Sequence, residues 1–267
     1  MIDIDPRQQQ VSTLSDEGRL GEALALLQEL YAEAECEPAP DRTRYFMTLF
    51  QWQLLTEKYP PACTALAAVR DEQAARLLAG ELHAGREDSE ASRKEPWRRV
   101  SRFALIIDMN RTLGDAHATR ALFLQLEASQ PELARRYAWQ ALPDIVEAGD
   151  FLLADRYRGN PLALLDEVNQ TALRMPLFPP DGKAPRLGAE LMNLAGEVRV
   201  GIAVLRGLGH EAQAAALRTA LLAGLAAGPL RTLAERELDE PGTISRELGA
   251  HQMACENKAL PGQATPA

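Results

Sequence analysis

The chain of 267 residues predicts an all-α fold, a stack of antiparallel helical hairpins. Three observations carry this. Alanine, leucine, arginine and glutamate dominate the composition, and all four favour helix. Apolar residues recur at helical spacing almost throughout, while the valine- and threonine-rich alternation of strands is nearly absent. Glycine-led breaks such as Gly114-Asp115 separate consecutive apolar stripes at hairpin-like intervals.

The first hairpin covers residues 6–33. A short helix around Gln8 to Leu14 reaches Asp16-Glu17-Gly18, and a second follows with Ala23, Leu27 and Leu30 on one stripe. Glu35 to Asp41, holding Pro38 and Pro40, links it to a helix over about 42–58. On that helix Phe46, Leu49, Phe50 and Leu54 form the expected core face. Tyr59-Pro60-Pro61 ends it, and a helix with Ala62, Leu66, Val69 and Leu77 completes the second hairpin. These residues, 1–84, make an N-terminal set of hairpins. Residues 85–96, rich in charge and without a large apolar side chain before Trp97, form a charged linker or loop.

Residues 97–250 make the C-terminal lobe. Its first hairpin places Phe103, Ile106 and Ile107 before Gly114, then Ala118, Ala121, Leu122 and Leu126 after it. Pro131 suits the first turn of the next helix, on which Leu133, Tyr137, Ala141, Ile145 and Ala148 keep register. After Gly149-Asp150 come a short helix over Phe151–Tyr157 and another over about 161–174. The proline-rich loop Met175 to Arg186 caps the stack or forms a binding lid. Helices over about 187–207 and 210–226 meet at Gly207-Leu208-Gly209, and one or two more occupy 229–250. Residues 251–267 are expected to be a flexible tail.

Composition narrows the function. A formal charge of -9 argues against broad nucleic-acid or anionic-membrane binding. No stretch is long and apolar enough to span a bilayer, and the polar N-terminus is not a signal peptide. Cys36, Cys63 and Cys255 are too far apart for a paired motif, which suits reduced thiols in the cytoplasm. His83, His117, His210 and His251 are scattered, so no metal or cofactor is expected. No nucleophile elbow or phosphate-binding loop occurs. Gly207-Leu208-Gly209-His210-Glu211-Ala212 matches a dinucleotide-binding GxGxxA, and valines precede it. Yet Leu191, Leu194, Val198, Ile202 and Leu205 also share one helical stripe, and no acidic residue stands where the ribose would need it.

Gly18, Gly114, Gly149 and Gly209 each end an apolar helix. Five positions on, three of them have a small residue, Ala23, Ala154 and Ala214, which lets two helices close up, while at Gly114 that place is Thr119. Gly114 and Gly149 are 35 positions apart, near the length of one helix-turn-helix repeat. These features resemble the tetratricopeptide repeat in degenerate form. The unit at about 100–133 carries Gly114, Phe123 and Pro131 on the pattern. Phe103, Ile106-Ile107 and Asn110 stand where the family has its early Trp, Leu-Gly and Tyr.

The stretch from Trp97 to Arg136 holds seven arginines against four carboxylates, a net +3 within an acidic chain. It reads as a solvated helix surface or as a groove for an acidic segment of a partner. In the family, the first helix of each hairpin lines the concave face. By register, the resemblance then implies a partner-binding set of Asp108, Arg111, Arg136, Trp139, Arg199 and Arg206. The expected function is non-catalytic binding of another protein or peptide, as a regulator, an adaptor or a toxin-neutralising immunity protein. The alternative is an enzyme with a cleft between helical lobes, for which a nucleotide at Gly207 to Ala212 would be the best clue.

Overall fold

The structure, a computed structural model, describes residues 5–37, 42–85, 99–180 and 182–259. Among them are thirteen helices and no strand. One isolated antiparallel bridge joins His83 and Ser101. The charged stretch 85–96 and Trp97 lie outside the described residues, apart from Gly85. Contacts divide the chain into two units, Met1–Asp144 and Ile145–Ala267.

The first unit holds α1 (Pro6–Asp16), α2 (Leu20–Cys36), α3 (Arg42–Thr56), α4 (Pro60–Leu78), α5 (Arg102–Leu113), α6 (Ala116–Ser129) and most of α7 (Pro131–Glu147). From α1 through α5 each helix packs on its successor, and α3 also touches α1 and α5. The core includes Leu27, Leu30, Trp52, Leu55 and Leu66. Each such side chain contributes about 1.5–3 kcal/mol when removed from water.

The second unit holds α8 (Phe151–Tyr157), α9 (Leu165–Ala172), α10 (Arg186–Gly207), α11 (Glu211–Gly224), α12 (Gly228–Asp239) and α13 (Thr243–Ala259). Here α10, at 22 residues, is the organiser: α8, α9, α11, α12 and α13 all pack against it. Leu191, Leu194, Val198, Ile202 and Leu205 form its buried stripe. The helix expected over 161–174 is shorter, with turns from 161 to 164 before α9 begins.

The joints follow local chemistry. Gly114 takes a left-handed φ of 65°, which an L side chain enters only at a cost. That conformation turns the Asp115 amide back to donate to the Asn110 carbonyl at 2.8 Å. Asp115 then caps α6, its Oδ1 accepting from the Ala118 amide at 3.0 Å. The same backbone closure recurs after Gly18, Gly149 and Gly209. Ala23, Thr119, Ala154 and Ala214, five positions on, are all buried.

One reading of the sequence is corrected, and of the two left open at 198–205 the helical one holds. Residues 198–205 are helical, so the strand that a dinucleotide fingerprint requires is not there. Gly207 is instead flat against the Phe151 ring, where a Cβ would overlap it. On α3 the buried face is Tyr45, Thr48, Gln51, Trp52 and Leu55, and Phe46, Phe50 and Leu54 face solvent. Two polar residues sit inward, each held by a hydrogen bond to α1. Gln8 Nε2 donates to Thr48 Oγ1 at 3.0 Å, and Gln51 Nε2 donates to the Gln8 carbonyl at 2.7 Å.

Candidate functional site

In the first unit a groove of about 550 Å³ runs between α3 and α5. Phe46, Leu49 and Phe50 form one wall, and Asp108 and Arg111 stand on the other, one helical turn apart. Phe46 is 66% exposed and Phe50 45%, with their rings stacked at 6.1 Å between centroids. Large apolar side chains held this far in solvent form an exposed apolar patch.

The α5 wall is fixed by a polar chain through four helices. Arg70 of α4 donates to Asn110 Oδ1 at 2.7 Å, and Asn110 Nδ2 donates to Thr119 Oγ1 at 3.0 Å. Thr119 donates to Asp144 Oδ2 at 3.0 Å. Asp144, buried, also accepts from Arg111 Nε at 3.1 Å, while Arg111 Nη2 donates to the Gln140 carbonyl at 3.2 Å. Pro143 lies inside α7 and withholds the amide that would bond to the Trp139 carbonyl, so the Arg111 contact supports the helix next to that break.

Asp108 differs from its neighbour. Its carboxylate has no hydrogen bond or ion pair among the described residues. Although the residue is exposed, partial desolvation by its neighbours raises its pKa above the ordinary carboxylate value, with Arg111 opposing and Asp144 adding to the rise. Arg111 is thus already compensated by Asp144, and Asp108 is not compensated directly.

The expected partner-binding set falls into three places. Asp108 and Arg111 line the groove. Arg136 and Trp139 are exposed on α7, outside the groove lining, and Trp139 is 64% exposed. Arg199 and Arg206 belong to the second unit, both exposed on α10, with Arg206 3.6 Å from Glu211. Trp52, by contrast, is core, its indole nitrogen donating to the Ala62 carbonyl at 3.1 Å.

Arg102, counted in the basic stretch, offers no surface charge. It is wholly buried and donates to the Glu35 carboxylate at 3.2 Å, to Gln73, and to the carbonyls of Glu81 and His83 at 2.9 and 2.6 Å. Arg76 also reaches Glu35, and Tyr45 donates to it at 2.7 Å. Burial, and then the Glu35 charge, push the Tyr45 phenol pKa upward. This cluster holds α2, α3, α4 and α5 together, and spacing in the sequence gives no sign of it.

In the second unit the proline-rich loop lies on α13. His251 Nε2 is 2.8 Å from the Pro179 carbonyl oxygen and 3.5 Å from Cys255 Sγ. A pocket of about 310 Å³ opens there beside Lys183 and Leu248. Among the described residues, no three of His, Cys, Asp and Glu gather so as to hold a metal ion. Nor is any helix long and apolar enough to cross a membrane.

Comparison with protein-family models, with curated proteins and with solved structures gives no match.

Proposed function

We propose that this chain is a non-catalytic protein- or peptide-binding protein of the cytoplasm, built as an irregular tetratricopeptide-like α-solenoid. A regulator, an assembly adaptor and an immunity protein masking a toxic enzyme all fit this reading. The observation that carries it is the open groove whose wall is Phe46 and Phe50, aromatic side chains kept in solvent. Burying such rings against a partner supplies the dominant favourable term of association. The exposed Arg136 and Trp139 add residue types common at interface anchors.

Affinity capture from the native host, followed by mass spectrometry and titration of the purified partner, tests the reading. One retained protein, binding saturably to the isolated chain, is the expected result. A chain that retains no protein but co-purifies with a nucleotide, or turns over a substrate, overturns it in favour of an enzyme.

A further inference from the structure

We infer that the groove between α3 and α5 docks a basic amphipathic segment of a partner protein, with apolar side chains on the Phe46–Phe50 wall and one lysine or arginine on Asp108. This rests on the protein-binding reading and adds the chemistry of the occupant.

The apolar part follows from spacing. Phe46 and Phe50, at i and i+4 on α3, line the groove, and Leu54 at i+8 continues the exposed ridge beyond it. At 1.5 Å per residue this ridge extends about 12 Å, enough for two turns of a helical segment presenting its own i, i+4 anchors.

The charge follows from what each groove residue already holds. Arg111 is bonded to Asp144 and to the Gln140 carbonyl. Asp108, one turn away, has no direct partner among the described residues, and its surroundings desolvate it. An incoming carboxylate would meet Asp108 and find Arg111 already compensated. Asp108 is exposed in the free chain, so an incoming cation can reach it, and closure of the segment over the groove would then dry the pair and strengthen it. The acidic partner segment expected from the net +3 stretch therefore does not suit this groove, since Arg102 is interior and Arg111 is occupied.

The test uses a random twelve-residue peptide display library selected against the full chain. Enriched peptides are synthesised with a fluorophore and titrated by anisotropy. Expected are sequences with apolar residues at helical spacing and a lysine or arginine between or beside them. Phe46→Ala combined with Phe50→Ala should weaken binding at least tenfold, and so should Asp108→Asn alone. Replacing the peptide's cation by norleucine should cost about tenfold on the natural chain and nothing further on Asp108→Asn. Thermal melts of each variant show that the fold is retained.

Enrichment of acidic peptides, or peptides whose affinity ignores all three substitutions, overturns the inference while leaving protein binding elsewhere on the chain intact. Absence of any enriched peptide overturns it as well, and partner capture then decides the broader reading separately. Concentration-dependent dimers in sedimentation, abolished by the paired phenylalanine substitutions, would assign the face to a second copy and overturn the inference.

Discussion

The Phe151 ring lies directly against Gly207, so that α8 approaches α10 at a position where any side chain would collide with it. The glycine is needed for packing, in ordinary helical backbone, and not for a turn. Gly209, two residues later, supplies the left-handed turn with φ of 80°.

Gly207→Ala should therefore destabilise the protein by about 1–3 kcal/mol through overpacking. Trimming the ring in a Phe151→Ala background should remove most of that increment, giving a coupling of similar size in a double-mutant cycle. Gly196 is on the same helix with open space around its Cα. Gly196→Ala should instead stabilise by about 0.4–1 kcal/mol, through the unfolded chain's lost freedom. Urea melts of the four variants separate the cases. Equal effects at 196 and 207 would contradict the close contact.

Arg102 and Glu35 form a second coupled pair, with no exposed surface on the arginine side chain. Arg102→Ala leaves the Glu35 carboxylate in a site shaped for two arginines and should cost about 3–5 kcal/mol. Arg102→Met with Glu35→Gln removes both charges and should cost less than the sum of the single changes, as read by denaturant midpoints. Additive losses would mean that the two groups do not interact.

These two contacts mark what the sequence could and could not tell. The hairpin joints were legible because their chemistry is local: Gly114 turns, and Asp115 caps the next helix within three residues. Helical periodicity likewise revealed the buried stripe of α10. The inward face of α3 was not legible, because Thr48 and Gln51 are buried through bonds to Gln8, 40 and 43 positions away. An apolar count assigns Phe46 and Phe50 to the core, and long-range pairing puts them in solvent. Arg102 reads as a surface charge until Glu35, 67 positions earlier, is placed beside it. The groove's two walls thus had different visibility, with the Asp108–Arg111 spacing apparent and the aromatic wall hidden.

Asp108 gives a pH signature. Its folded pKa is raised above the ordinary value of 3.8 by desolvation, so between those two values the native state binds more proton than the unfolded chain. Stability contributed at this site is full below 3.8 and is lost as pH rises through the folded pKa. Asp108→Asn removes the penalty, so the variant should gain stability over the natural chain at pH 7 and lose that advantage below pH 3.8. Paired denaturant melts at pH 7 and pH 3 check this. A variant less stable at pH 7 would show that the carboxylate supports the fold.

Trp139 and Phe123 should separate binding from folding. Phe123 is fully buried, and Phe123→Ala should cost about 3–5 kcal/mol and abolish binding only by unfolding the protein. Trp139 presents most of its ring to solvent, so Trp139→Ala should leave the melting temperature nearly unchanged. If Trp139 anchors the partner, the same substitution should weaken binding by at least about 2 kcal/mol. Arg136 lies one turn earlier on the same face of α7, exposed and without an ion pair among the described residues. Arg136→Ala should weaken binding at low salt and have less effect as ionic strength rises, because screening already reduces its contribution. Titration of the captured partner against both variants, with melts alongside, decides the role of α7. A large drop in melting temperature for Trp139→Ala would assign the indole to the core. Unchanged affinity in both variants would take this face of α7 out of the binding site, leaving the α3–α5 groove to be judged on Phe46, Phe50 and Asp108.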